Sequence, residues 1–271
     1  MLNLREIHKP TTLADALKLL QQPDTVALAG GTELISRQRR DVRAVVDLSA
    51  LGLSYIRESG GSVAIGATTT LAELAESPIL RALANGVIAQ AAHRSAASVL
   101  RNQETAAGTL IAKPDGILVV AFLALDAQVT VVRKETRTVA LADFLARREH
   151  LLMMALLTEI TVPMTNPRAS LQTVARTPSD KPIISVCAAA RIDQGTAHDV
   201  RIALGGVADY AVRASQSEEL LEGQTLNDAQ IERAARATAE GLSPRDDFRG
   251  SAEYRREMAV VLTRRAITSL L

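Results

Sequence analysis

The stretch Val26-Ala27-Leu28-Ala29-Gly30-Gly31-Thr32-Glu33-Leu34-Ile35 constrains the fold more than any other part of the chain. Val26 to Ala29 read as a short buried strand, and the glycine pair behind them opens backbone angles that a Cβ closes. Thr32 is placed to cap a helix whose first turn carries Glu33. A strand, a bare turn and a helix start within ten residues commit the N-terminal region to a βα unit. Two uses of that unit fit the residues. Unpaired N–H groups at the positive end of a helix suit a phosphate, so a branched side chain at Gly31 would stand where the phosphate sits. The same residues also make a tight βα turn with no ligand.

Elsewhere the pattern changes style. Leu13, Ala16, Leu17 and Leu20 recur at helical spacing before the glycine strand, and residues 42–51, VRAVVDLSAL, read as a second strand closing at Asp47. A small parallel βαβ subdomain over residues 1–55 follows. Residues 53–67 alternate around Gly60-Gly61 as a hairpin, and residues 127–141 form another that turns near Lys134 and Glu135. With the helical segments TTTLAELAESPIL, ANGVIAQAAHRSA and ALADFLARREHLL, these make a mixed antiparallel α/β subdomain over 56–165. Pro163 and Pro167 interrupt the pattern and mark a boundary. Beyond it, 166–271 predicts a C-terminal three-stranded sheet with helices, the last from about Ser251 to Leu271. On that helix Tyr254 is expected to share a packed face with Met258, Val261 and Leu262, and Arg255, Arg256, Arg264 and Arg265 to serve structure. The fold class is α+β.

Composition excludes several functions. A formal net charge of +1 leaves no basic excess to neutralise a nucleic acid, and no apolar run approaches the roughly 20 residues that span a bilayer. The opening MLNLREIHKP has no signal-peptide core, and the composition points to the cytoplasm. One cysteine, Cys187, permits neither an internal disulfide nor a four-cysteine iron–sulfur or zinc site, and its apolar run predicts a buried strand thiol. His8, His93, His150 and His198 are scattered and suit solvated or capping roles, so no metal site is expected. The basic run Arg37 to Arg40 reads as a solvated helix end, with docking of an acidic partner or an adenine-side phosphate as the sharper alternative. Aromatic residues make up 2% of the chain, so a flat cofactor would pack on aliphatic side chains and backbone.

A second glycine-bearing segment runs from residue 101 to 127, RNQETAAGTLIAKPDGILVVAFLALDA. Thr105, Ala106, Ala107, Gly108 and Thr109 are small enough for a ligand or another backbone to come close, and the two hydroxyls offer donors. A packing corner under the following helix accounts for the same residues.

Taken in order, AGGTEL, IGATTTLAELAESPIL, LRNQETAAGTL, LALDA, IALGGVA and DDFRGSAEYRREMAVVLTRRA form a recognisable whole. The chain resembles, from end to end, the medium, FAD-binding subunit of the xanthine dehydrogenase and carbon monoxide dehydrogenase family of molybdenum hydroxylases. That resemblance implies that Ala29, Gly30, Gly31, Thr32, Glu33 and Leu34 hold the FAD pyrophosphate region together with Thr105, Ala106, Ala107, Gly108 and Thr109. Where the family usually reads T-I-G-G-N, this chain has Thr105-Ala106-Ala107-Gly108-Thr109. Where the family often places an acid in S-P-x-x-D, Ile117 falls here and Asp115 is the nearby candidate; in the family's K-x-x-R strand, Thr173 replaces the lysine while Arg176 and Asp180 remain.

The implied role is electron transfer. Electrons would leave an iron–sulfur small subunit, fed by a molybdopterin large subunit, and pass through FAD to NAD, a quinone or oxygen. No catalytic side chain in this chain is called for, because the cofactor carries the chemistry. A flavin-free scaffold subunit and a stand-alone flavin oxidoreductase are the alternatives.

Overall fold

A computed structural model describes residues 4–165, 167–177 and 180–271. Its N-terminal part is a parallel sheet of β1 (Glu6–His8), β2 (Thr25–Leu28) and β3 (Ala44–Asp47) in the order β1-β3-β2. Helices α1 (Leu13–Leu19) and α2 (Thr32–Ser36) connect them. Thr12 caps α1 by accepting the Asp15 N–H at 3.1 Å. β1 has no counterpart in the sequence reading, because three residues with two polar side chains carry no alternation to detect.

The middle of the chain builds an antiparallel sheet from β4 (Ile56–Ser59), β5 (Ser62–Gly66), β6 (Gln128–Val132), β7 (Thr136–Ala140) and β8 (Leu156–Pro163), ordered β4-β5-β8-β6-β7. Both expected hairpins are present, with Ser59 opposite Ser62 and Val132 opposite Thr136 at their closed ends. Helices α3 (Leu71–Glu76), α4 (Pro78–Ala82), α5 (Val87–Ser95), α6 (Ser98–Arg101), α7 (Ala106–Ala112) and α8 (Ile117–Ala124) lie between β5 and β6, and α9 (Leu141–Leu151) precedes β8. All eight residues of α8 are buried, which is why its sequence shows no polar face. It packs between α5 and α7 on one side and the C-terminal sheet on the other. Among the described residues no single helix is long and apolar enough to cross a membrane.

The C-terminal sheet has the three long strands expected, β9 (Arg168–Val174), β10 (Ile184–Asp193) and β11 (Thr196–Gly205), and a two-residue β12 (Val212–Arg213) adds a fourth at the β11 edge. One face carries Ile184, Val186, Ala188, Ile202 and Leu204 against α10 (Ser215–Leu221), α11 (Asp228–Ala239) and α12 (Ala252–Thr268). The other turns Cys187, Ala189 and Ala203 into the core built on α8. Cys187 is fully buried, and burial pushes its thiol up to about 12, so it is inert.

The packed face of α12 differs from the expected one. Arg255, Ala259, Leu262, Ala266 and Ile267 are buried, while Tyr254, Met258 and Val261 flank them half-exposed. Leu262 lies on the packed face as expected, Met258 packs at its edge, and Arg255 serves structure at its head.

A cleft between the first two sheets

Gly31 adopts φ +71°, ψ −7°, the left-handed conformation, and is itself the N-cap of α2. Thr32 is therefore the first helical residue and not the cap expected of it. Among the described residues no side chain caps α2, and its first hydrogen bond runs from the Ile35 N–H to the Gly31 oxygen at 3.0 Å. The N–H groups of Thr32, Glu33 and Leu34 thus have no partner within the helix. With five residues α2 is too short for a sizeable macrodipole, so these bare donors are what the turn offers an anion.

The two glycines serve different ends. A Cβ built on Gly30 would lie 1.7 Å from the Gln103 carbonyl oxygen and 2.6 Å from its carbon. Gly30 is bare because the backbone of the second segment passes against it. A Cβ on Gly31 would meet Leu28 Cδ1 at 3.1 Å and Ile35 Cδ1 at 3.8 Å, which is side chain and not the place of a ligand. Gly31 is required for its φ. Gly31→Ala is expected to cost about 1–2 kcal/mol in a urea unfolding curve, through strain in the left-handed region. A midpoint equal to wild type would show that α2 starts elsewhere.

The second segment is a helix start and not an open loop. Thr105 caps α7 by accepting the Gly108 N–H at 3.2 Å. The Ala106 N–H donates to Thr69 O at 2.8 Å and the Ala107 N–H to Ala67 O at 3.1 Å. Together with the Leu71 N–H to Glu104 O bond at 2.9 Å, these lace the segment to the turn after β5. Its early backbone donors are therefore consumed by the protein. What it adds to the cleft wall are two hydroxyl-bearing residues, Thr105 and Thr109. Thr109 Oγ1 is buried and has no hydrogen-bond partner among the described residues, although the residue lines the cleft.

Between these two segments lies a cavity of about 360 Å³. Ala29 to Leu34 line it, as do Thr105, Ala107, Gly108 and Thr109. Ala106 does not; it is fully buried in the core behind. Asp115 does not line it either. The chain bends by 105° between α7 and α8, which carries Asp115 toward the C-terminal sheet, where Lys181 Nζ lies 2.8 Å from both carboxylate oxygens.

Several cleft residues escaped the sequence reading. Leu152, Ala155, Leu156 and Leu157 form an aliphatic wall, in keeping with the scarcity of aromatic residues. Arg37 and Arg39 reach the cleft from the basic run, yet each is held by an acid: Arg37 pairs with Glu33, and Arg39 Nη2 with Asp41 at 2.5 Å. The Asp41 hydrogen bond holds the Arg39 guanidinium above its ordinary value. Glu104 and Lys113 form a third pair, with Lys113 Nζ 2.8 Å from both Glu104 oxygens. Nothing in their nine-residue spacing signals a contact; Lys113 ends α7 with φ −128°, ψ 63°, where the chain leaves the helix.

Comparison with known proteins bears on what this cleft holds. Residues 3–165 match the family described as FAD binding domain in molybdopterin dehydrogenase, and residues 169–270 match CO dehydrogenase flavoprotein C-terminal domain. The glyceraldehyde dehydrogenase medium chain of Sulfolobus acidocaldarius is 29% identical over 265 residues, covering 94% of each chain. The carbon monoxide dehydrogenase medium chain of Afipia carboxidovorans is 30% identical over 277 residues, covering 97% of this chain and 95% of that one. Among solved structures, carbon monoxide dehydrogenase from Hydrogenophaga pseudoflava, in a form lacking the Mo-pyranopterin moiety of its molybdenum cofactor, superposes with a TM-score of 0.91 at 27% identity, covering 100% and 98%. The chain therefore belongs to the FAD-binding family of molybdopterin dehydrogenases, as an oxidoreductase medium chain whose cofactor is FAD.

Proposed function

We propose that the cleft between the AGGTEL turn and the start of α7 holds the diphosphate region of FAD, and that the chain carries electrons from iron–sulfur clusters on a partner subunit to an acceptor such as NAD within a cytoplasmic molybdenum hydroxylase complex. One observation carries the placement of the cofactor. Thr109 Oγ1 is a buried donor with no partner among the described residues, in a cleft also lined by Thr32, Glu33 and Leu34, whose N–H groups have no partner within α2. A buried hydroxyl without a partner costs about 1–3 kcal/mol, so it calls for a polar ligand. The donor set fits an anionic, hydrogen-bond-accepting group.

Bound FAD supplies the one- and two-electron chemistry, and the protein supplies binding and orientation. Thr32, Glu33 and Leu34 offer backbone N–H groups, and Thr105 and Thr109 offer hydroxyls. The aliphatic wall of Leu152, Ala155, Leu156 and Leu157 excludes water and gives a flat ring an apolar face. With a single cysteine the chain cannot ligate a four-cysteine cluster, so the clusters belong to a partner in this reading. The partners follow the relatives, which are medium chains or subunits of larger enzymes.

The test is Thr109→Val, which removes the hydroxyl and keeps the shape. FAD affinity, titrated by flavin fluorescence, is expected to fall about tenfold, the order of one hydrogen bond to a charged group. Stability of the FAD-free chain is expected to stay level or rise by about 1 kcal/mol, because an unsatisfied buried group is gone. Wild-type affinity in Thr109→Val would remove the diphosphate from this wall.

A further inference from the structure

Three pairs of charges surround the cleft, and one differs from the others. Glu33 with Arg37 and Arg39 with Asp41 sit at the surface with side chains between 38% and 63% exposed. In the third, the Glu104 side chain is 8% exposed and Lys113 33%. The acid is the buried member, and both residues line the cleft. Removing either member of such a pair leaves the other charge without its partner.

We propose that the Glu104–Lys113 pair sets the affinity of the cleft for its anionic cofactor: Lys113 neutralises a buried acid that would otherwise repel the diphosphate. This rests on the placement of FAD proposed above and adds to it the residues that tune its affinity. Glu104 immediately precedes Thr105, and the Lys113 N–H donates to Thr109 O at 2.9 Å, so both ends of the pair are fixed to the residues that bear the cleft hydroxyls. Arg37 and Arg39 are each held by a surface acid, which leaves Lys113 as the cation on the α7 wall of the cleft. A diphosphate brings two negative charges to a site that already contains a buried third. Its affinity therefore follows the charge on this pair.

The pair makes a charge-balance experiment possible. FAD is titrated into the full FAD-free chain for wild type, Glu104→Gln, Lys113→Met, Lys113→Arg and the double variant Glu104→Gln/Lys113→Met, at about 0.01 M and about 1 M salt, where the screening lengths are about 30 and 3 Å. At low salt Glu104→Gln is expected to bind FAD about tenfold more tightly and Lys113→Met about tenfold more weakly. The double variant, neutral like the wild-type pair, is expected within about threefold of wild type, as is Lys113→Arg. High salt is expected to compress the spread. A merely structural pair gives another result: Glu104→Gln and Lys113→Met would both weaken FAD, because each breaks the same pair, and that outcome overturns the inference. Thermal unfolding of each variant shows which are folded, and Glu104→Gln, which removes charge without volume, decides the matter if Lys113→Met is not. Wild-type affinity in Glu104→Gln, or a double variant weaker than Lys113→Met, overturns the inference while leaving FAD in the cleft. A wild-type chain that binds no FAD overturns the placement of FAD and this inference with it.

Discussion

Gly30→Ala is expected to remove about 3 kcal/mol of stability and most FAD binding together. The added methyl would stand 1.7 Å from the Gln103 carbonyl oxygen and 2.6 Å from the carbonyl carbon, with Glu104 N at 3.3 Å. These are backbone atoms between α6 and α7, so no rotamer change relieves the clash, and the cost sits at the upper end of overpacking. The backbone must part. Separating the AGGTEL turn from the second segment moves the unpaired N–H groups of α2 away from the Thr105 and Thr109 hydroxyls. A one-ångström displacement matters to a ligand held by several fixed donors. Urea unfolding and a flavin titration read the two losses, and Gly31→Ala separates this mechanism from simple strain, since it bends the turn without touching Gln103. Were Gly30→Ala to unfold at the wild-type midpoint, the close approach of the two segments would be wrong.

This pair of glycines shows how far a cleft can be read from sequence. Two adjacent glycines after an apolar run announce that the backbone must be bare, and the structure agrees. The reason for Gly30 lies about seventy residues away, in Gln103, and no local pattern records that contact. The expected cap at Thr32 failed for a related reason. A left-handed glycine ends the strand and starts the helix by itself, so the hydroxyl behind it is free to face the cleft. The segment at Thr105 was legible as small and close-packed, but not as a helix, because Ala106, Ala107 and Gly108 match a tight corner and a first turn equally well. Lys113 and Glu104 were invisible as a pair, since a contact across nine residues depends on how α7 ends.

The fold itself was more legible where a period existed. Both hairpins carry alternation with turn residues between, and the structure closes them where the glycines and the Lys134-Glu135 turn stand. α8 has no period, because it is buried on every side, and composition alone cannot tell such a helix from a strand. β1 and β12 are two or three residues long and owe their pairing to neighbours already in place.

The head of α12 is where the local pattern misled most, and it carries the other large expected effect. Arg255 is 2% exposed. Its Nη1 donates to Ile183 O at 2.5 Å and to Gly206 O at 2.7 Å, and its Nη2 to the Asp247 carboxylate at 2.7 Å. Ile183 immediately precedes β10 and Gly206 follows β11, so one guanidinium ties the last helix to the strands under it. Asp247 belongs to the same knot. Desolvation pushes its carboxyl up, but the Arg249 side chain and N–H and the Arg255 guanidinium together outweigh that and hold it below the usual carboxylate range. The stabilisation from Asp247 is thus present above an ordinary carboxylate pKa of about 4 and is lost as the pH falls below it. Arg255→Met is expected to cost about 3–5 kcal/mol, because two carbonyl oxygens and a carboxylate lose their donor at once. Arg256→Ala, Arg264→Ala and Arg265→Ala, all on the exposed side of α12, are expected within about 0.5 kcal/mol of wild type. Lys in place of Arg255 cannot reach three acceptors with one fork and is expected to recover only part of the loss. FAD affinity provides the control, since none of these side chains lines the cleft. Loss of flavin from Arg255→Met at unchanged stability would make the arginine a binding residue and break this assignment.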